Sequence, residues 1–179
     1  FRQFRPESAL EIGVYRGQVL TLWGLLARTF QIECEVWGLS PLTSAGDSVS
    51  VYTRDLDYRA DIKSHFTHFD LGSPRLVEGY SQEAASIEFV KSRYWDLIYV
   101  DGSHDFDVVL ADLELSIEQL ASGGLLVVDD ASLYAPYRPP TFSFAGHPGP
   151  SRAIKVAPGM SQMSEVGTCG HNRVFQKRG

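Results

Sequence analysis

Trp95-Asp96-Leu97-Ile98-Tyr99-Val100-Asp101-Gly102-Ser103-His104-Asp105, a helical stretch, and then Gly123-Gly124-Leu125-Leu126-Val127-Val128-Asp129-Asp130 decide the fold. The apolar runs Leu97–Val100 and Leu125–Val128 are too short for helices, and both end on acid. Such runs read as strands buried on both faces of a parallel sheet. Between them Val109, Leu113, Ile117 and Leu120 recur at helical spacing, so the pattern predicts a helix from about Phe106 to Ala121, ended by Gly123-Gly124. Strand, helix and strand make one right-handed βαβ unit. If its strands are neighbours, their C-terminal ends lie roughly 5 Å apart. Asp101, Asp129 and Asp130 then share the sheet edge at which open α/β folds bind ligands. Three carboxylates there repel one another unless a divalent metal, a basic side chain or protonation relieves them.

The same alternation extends in both directions. Ser8 to Gly17 reads as a short strand entering a glycine turn, followed by a helix through Val19, Leu22, Trp23 and Leu26 to about Phe30. Glu35–Leu39 is the second strand, Pro41–Val51 a loop and Arg54–Phe69 a mostly polar helix. Arg75–Glu78 is the third strand and Gln82–Lys91 the third helix. Residues 131–157 hold five of the nine prolines together with Tyr134, Tyr137, Phe142 and Phe144, and read as one long loop. A loop this long in a compact domain is usually functional or disordered. Here it is expected to be a substrate lid, offering Arg138, His147 and Arg152 to polar groups. Val166–Lys177 supplies a last hairpin. The expected architecture is a single α/β domain over residues 1–179, a Rossmann-like doubly wound, mostly parallel sheet with a C-terminal antiparallel hairpin.

Composition narrows the functions. A chain of 179 residues, 44% hydrophobic and 21% charged, can bury a sizeable core. The net charge of −6 argues against nucleic acid as a partner. No apolar run is long enough for a membrane span. Cys34 and Cys169 lack metal-ligand spacing and read as reduced thiols, which points to the cytoplasm. The first strand begins so near Phe1 that the chain is expected to be a trimmed piece lacking preceding helices. His65 and His68 have the spacing of a metal pair but sit on a polar helix, where a solvated face is the expectation.

Glu11-x-Gly13-x-x-x-Gly17 follows a strand and opens a helix, where glycine lets backbone approach a ligand and the helix offers free N–H groups. It is not the Gly-x-Gly-x-x-Gly of nicotinamide enzymes, and no phosphate-cradling Gly-Lys-Ser/Thr occurs. A hydrolase reading of Asp101, Ser103 and His104 lacks a Gly-x-Ser-x-Gly elbow. The glycine turn resembles motif I of class I S-adenosylmethionine methyltransferases. The segment from Tyr94 to Asp130 resembles their motifs IV and V, and is closest to the group that includes macrolide-sugar O-methyltransferases and cephalosporin-hydroxylase-like proteins. The resemblance covers residues 8–133 well and the tail loosely, through Gly-His-Asn-Arg-Val-Phe at 170–175.

That resemblance implies an S-adenosylmethionine-dependent, Mg²⁺-assisted O-methylation of a hydroxyl on a sugar or small natural product. It implies Asp101, Asp129 and Asp130 as metal ligands, Asp101 and His104 as catalytic residues with His104 the general base, and Glu11, Gly13 and Gly17 beside the methionine end of the cofactor. Because successive strand-end residues point to opposite sides, only one of Asp129 and Asp130 is expected to ligate directly. Ser81, in the Gly79-Tyr80-Ser81-Gln82 turn, is expected beside the adenine. Ser40 stands where an acid commonly holds the ribose, so cofactor affinity is expected to be low unless Asp47 or Asp57 reaches in. The partner expected is a small hydroxylated acceptor, with a homo-oligomer left open. The rival readings are a non-catalytic binding module on a methyltransferase fold and a nicotinamide-dependent oxidoreductase. Asp101 also has an ordinary reading, as a cap on the helix that follows it.

Overall fold

The computed structural model describes residues 1–136 and 144–179. Tyr137, Arg138 and Phe142 of the expected lid lie outside the described residues. Seven strands, β1 (Ser8–Ile12), β2 (Glu35–Ser40), β3 (Arg75–Glu78), β4 (Trp95–Val100), β5 (Leu120–Val128), β6 (Met163–Cys169) and β7 (Asn172–Lys177), form one sheet in the order β3-β2-β1-β4-β5-β7-β6. The first five are parallel; β7 runs antiparallel to β5 and to β6. The helices are α1 (Gln18–Phe30), α2 (Tyr58–His68), α3 (Ala84–Lys91), α4 (Phe106–Gln119) and α5 (Pro148–Val156), with a short 3-10 helix at Pro158–Gln162.

Alternation along the central strands sorts their side chains to two faces. Leu97 and Tyr99 of β4 join Ala9, Leu20, Trp23, Ile62 and Phe66 under α1 and α2. Ile98 and Val100 join Leu10, Leu126, Val128, Val109 and Leu113 under α4. Each fully buried aliphatic side chain contributes about 1.5–3 kcal/mol relative to an exposed one. Helices on both faces make the sheet doubly wound, as expected from the sequence. Its C-terminal edge collects the turns after β1, β2, β3, β4 and β5 on one side of the molecule.

Two expectations need correction. Gly123-Gly124 does not cap α4, because β5 already begins at Leu120. The pairing with β4 instead jumps from Trp95↔Leu120 to Leu97↔Leu125, and Gly123 takes φ 76° inside that bulge. Residues 131–157 are also not one loop, since α5 occupies Pro148–Val156. Two of the five prolines that suggested loop, Pro148 and Pro150, sit in its first turn, where a backbone N–H has no helical partner to lose.

The start of α5 is pressed against the sheet edge. A Cβ on Gly149 would lie 1.9 Å from the His104 carbonyl oxygen, and one on Gly146 would lie 2.1 Å from that of Asp130. The His147 N–H and the Ser151 hydroxyl both donate to the Asp130 carbonyl, at 2.9 and 3.0 Å. Inside a helix alanine normally outdoes glycine by about 1 kcal/mol. Here overlap with backbone should reverse the sign. We expect Gly149→Ala to lose about 1–3 kcal/mol in urea denaturation, as overpacked sites do. Gly167→Ala, which meets nothing within 4 Å, should stay within about 0.5 kcal/mol of the parent.

Candidate active site

A cavity of about 490 Å³ opens at the C-terminal edge. Gly13 and Val14 from the turn after β1, Ser40 from β2, Ser81 and Gln82 from the turn after β3, and Asp101 to His104 from the turn after β4 all line it. The loop at 41–57 covers it with Asp47, Ser50 and Tyr52. Tyr15 packs against Tyr52 and Tyr58, with ring centroids 5.3 and 5.6 Å apart, giving that wall an aromatic surface. Gly13 is required: it takes φ 98°, and a Cβ there would lie 2.2 Å from the Asp101 carbonyl. The cavity ends at Asp101, Ser103 and His104, which also line a small adjoining pocket with Asp129 and Asp130.

The residues expected at the cofactor divide into two sets. Gly13, Ser40 and Ser81 line the cavity, whereas Glu11 and Gly17 do not. Gly17 precedes α1 at φ 79°, and a Cβ there would meet the Ile62 side chain of α2 at 2.9 Å. Glu11 is 3% exposed. Burial pushes its carboxyl up to about 8, with the Leu20 N–H opposing and the Asp129 charge adding to the rise. The Ser40 hydroxyl donates to the Val14 carbonyl at 2.9 Å and so braces the turn after β1. Neither acid named as a substitute is free for a ribose. Asp57 caps α2 by accepting from the Ala60 N–H, and Asp47 turns toward His104. Behind Ser81 and Gln82 lies Asp112, 3% exposed and raised to about 6 by burial, with Ser81 and Gln82 opposing.

The acidic centre gathers more than the three expected carboxylates. Asp101 and Asp129 follow paired strands, with the Asp129 N–H donating to the Val100 carbonyl at 3.0 Å. Burial first, and then the Asp129 carboxylate beside it, hold Asp101 well above the usual carboxylate range. His104 is clamped from both sides. Its Nδ1 lies 2.7 Å from Asp47 Oδ2 and its Nε2 lies 2.7 Å from Asp130 Oδ2. The Asp130 contact raises its pKa most; burial opposes, Asp47 adds, and the result is about 9. Hydrogen bonds from Ser50, Val49 and His104 overcome the effect of burial on Asp47 and hold it down to about 2. In this arrangement His104 carries its proton at neutral pH. It can act as the expected base only after Nε2 has parted from Asp130 and given up that proton.

Asp130 is 4% exposed and takes φ 54°, so strand alternation stops at Asp129. Both acids therefore turn an oxygen toward His171, where an extended strand would point them to opposite sides. The Oδ1 atoms of both acids approach His171 Nε2, at 3.2 Å from Asp129 and 4.0 Å from Asp130. On the other side His147 Nε2 lies 3.7 Å from Asp130 Oδ2, and the His104 and His147 rings are 4.4 Å apart. Phe144 lies against both His147 and His171, with centroids 5.3 and 5.2 Å away. The sets whose ligand atoms converge enough to hold one cation are Asp129–Asp130–His171 and His104–Asp130–His147, among the described residues. Asp101 belongs to neither.

His171 was missed as a site residue, although its position on the hairpin turn was readable. His147 was expected to meet substrate; it faces Asp130. Arg152 lies over the Phe106 ring at 5.0 Å. His65 Nδ1 is 2.9 Å from the Arg16 carbonyl and joins no cation cluster among the described residues.

Comparison with known proteins gives a family and a fold. A family model described as a methyltransferase domain matches residues 10–131. No curated protein sequence matches the chain. Among solved structures, the O-methyltransferase from Bacillus cereus in complex with S-adenosylhomocysteine superposes with a TM-score of 0.63 at 13% identity, over 99% of this chain and 76% of that one. The O-methyltransferase TomG from Streptomyces achromogenes, involved in tomaymycin synthesis and bound to S-adenosylmethionine, gives 0.61 at 13% identity, over 99% and 76%. CmcI with magnesium and S-adenosylmethionine gives 0.59 at 15% identity, over 99% and 67%. At these identities the likeness is one of fold.

Burial of Glu11 makes a prediction about pH. Its folded pKa lies above the ordinary carboxyl value of 4.5, so the folded chain holds a proton that the unfolded chain releases between about 4.5 and 8. Stability therefore falls as pH rises through that window, by up to about 1.4 kcal/mol per pH unit for one proton. Glu11→Gln should remove this fall. The difference between variant and parent, measured by urea denaturation, should be small at pH 4.5 and grow steadily to pH 8 in the variant's favour. A constant difference would mean that Glu11 is ionised in the fold.

Proposed function

The chain belongs to the methyltransferase-domain family, and from that premise we propose that it transfers a methyl group from S-adenosylmethionine to a hydroxyl oxygen of a small acceptor such as a sugar or natural product. One observation carries the reading. The cavity that begins at Ser81 and Gln82 ends at Asp101 and His104, so a donor seated in it would present its reactive end to the acidic centre. The donor supplies a methyl carbon bound to a sulfonium, which an oxygen nucleophile in line can displace.

The chain's residues have three tasks in this reading. Gly13, Ser40, Ser81 and the tyrosine wall position the donor. Positioning contributes up to roughly 7–11 kcal/mol in ideal cases. The loop carrying Asp47 and Ser50 covers the cavity and is tied to the centre through His104, which helps exclude water. His104, oriented by Asp47, takes the acceptor's proton at Nε2 after its own Nε2 proton has been released to solvent and the acceptor hydroxyl has replaced Asp130 there. Asp101, raised well above the usual carboxylate range by burial and by Asp129 beside it, lines the end of the cavity next to His104 and positions an acceptor oxygen.

A divalent cation belongs to the proposal, with magnesium the ion the sequence resemblance implies. The fit rests on buried oxygens. Oδ1 of Asp129 and Oδ1 of Asp130 have no hydrogen-bond partner among the described residues. These two carboxylates would hold the ion, and it would stabilise charge on an oxygen losing its proton. No helix of the described residues is long and apolar enough to cross a membrane. The unpaired Cys34 and Cys169 support placing the protein in the cytoplasm. The family match leaves the nicotinamide reading without support.

The test is transfer of a labelled methyl group to a panel of vicinal diols. The parent should form O-methyl products. His104→Ala and Asp101→Ala should each lower the rate by about 10²–10⁴, the usual range for a proton-handling group. Full activity in both variants would sink the proposal.

A further inference from the structure

The acidic centre is divided by the two oxygens of one side chain. Asp130 Oδ2 faces His104 and His147, at 2.7 and 3.7 Å. Its Oδ1 faces the other way and has no hydrogen-bond partner among the described residues, although the residue is 4% exposed. Asp129 Oδ1 is likewise buried without a partner, 3.2 Å from His171 Nε2 and not hydrogen-bonded to it. Two carboxylate oxygens and one imidazole nitrogen thus converge without satisfying one another.

Their spacing is that of ligands to a common ion. Atoms about 2.1 Å from one cation lie about 3.0 Å apart at a right angle and about 4.2 Å apart when opposite. The separations from His171 Nε2, 3.2 and 4.0 Å, fall within that span. The surroundings hold the set in place. His104 and His147 fix the orientation of Asp130 from behind, as carboxylate–histidine contacts do around bound metals. The His147 N–H and Ser151 hydroxyl hold its backbone in the left-handed conformation that turns Oδ1 inward.

The nature of the third ligand discriminates between cations. Magnesium takes oxygen ligands and keeps much of its water. An imidazole nitrogen favours borderline first-row transition ions. Resting on the reading that a divalent cation sits at this centre, we propose that Asp129, Asp130 and His171 form a mixed carboxylate–imidazole site that selects a borderline transition-metal ion over magnesium. His171 is the selecting ligand. Nothing in the local sequence pattern of acids after β4 and β5 requires it; the hairpin turn between β6 and β7 delivers it.

The test uses the full chain freed of metal with a chelator. Co²⁺ and Mg²⁺ are titrated separately by calorimetry into the parent and into His171→Gln. The Co²⁺ form of the parent is examined by proton NMR for a paramagnetically shifted imidazole N–H. The shifted resonance of His171 should be present in the parent and absent from the variant, while any from His104 and His147, which contact the other oxygen of Asp130, persist in both. The variant should bind Co²⁺ about 10- to 100-fold more weakly, a loss of the size seen when a partner around a metal is removed. Its affinity for Mg²⁺ should change by less than about threefold, since magnesium gains little from nitrogen. Equal losses for the two ions, no loss for either, or absence of the shifted resonance from the parent would each overturn the inference. S-adenosylhomocysteine binding by the same samples separates the two claims. Donor binding without selective cation binding overturns the cation site alone. Selective cation binding without donor binding supports the site and overturns the methyl-transfer reading.

Discussion

Three carboxylates held out of water at the ends of two adjacent strands are the constraint on which the rest of this structure depends. Asp101 and Asp129 follow strands whose pairing fixes them side by side. Their repulsion could be relieved by protons, by basic groups or by a cation. The chain uses the first two itself. Burial and the Asp129 charge raise Asp101 well above the usual carboxylate range, and His104, held protonated between Asp47 and Asp130, supplies a basic group. His147 and His171 lie beside Asp130 and Asp129. The oxygens still left unpaired are the ones arranged for the third.

Each of those histidines arrives by a different route, and each route explains part of the fold beyond the nucleotide-type core. His104 lies three residues past β4 and is gripped by Asp47, which ties the loop at 41–57 to the centre. His147 comes with α5, whose proline- and glycine-rich first turn can press directly on the backbone of His104 and Asp130. His171 comes with the β6–β7 hairpin, whose last strand pairs with β5 and brings the His171 carbonyl to the Ala131 N–H. Elements outside the matched region of residues 10–131 thus complete a site that begins inside it.

Much of this was legible in the sequence. Short apolar runs closed by acid gave the strands, and three acids at one sheet edge followed from strand pairing alone. The α5 helix was hidden because proline and glycine are read as breakers, while its first turn tolerates both. The direction of Asp130 was hidden because alternation assumes extended backbone, and this residue is left-handed. Glu11 and Gly17 share a motif with Gly13 but do not line the cavity that it lines; packing depth, which sequence does not display, separates them. The hairpin itself carried a usable signal for His171. Once β7 pairs with β5 through Val128↔Arg173, residue 171 must lie beside Asp130.

Ser40 makes the donor cavity the point at which the account is most exposed, since its hydroxyl is already committed to the Val14 carbonyl. The direct measurement is a calorimetric titration of the full chain with S-adenosylhomocysteine, repeated on Gly13→Val, whose side chain would collide with the Asp101 backbone and fill the turn beside the cavity. The account predicts saturable one-to-one binding by the parent and its loss in the variant. Absence of binding by a folded parent, even at millimolar ligand, would contradict it.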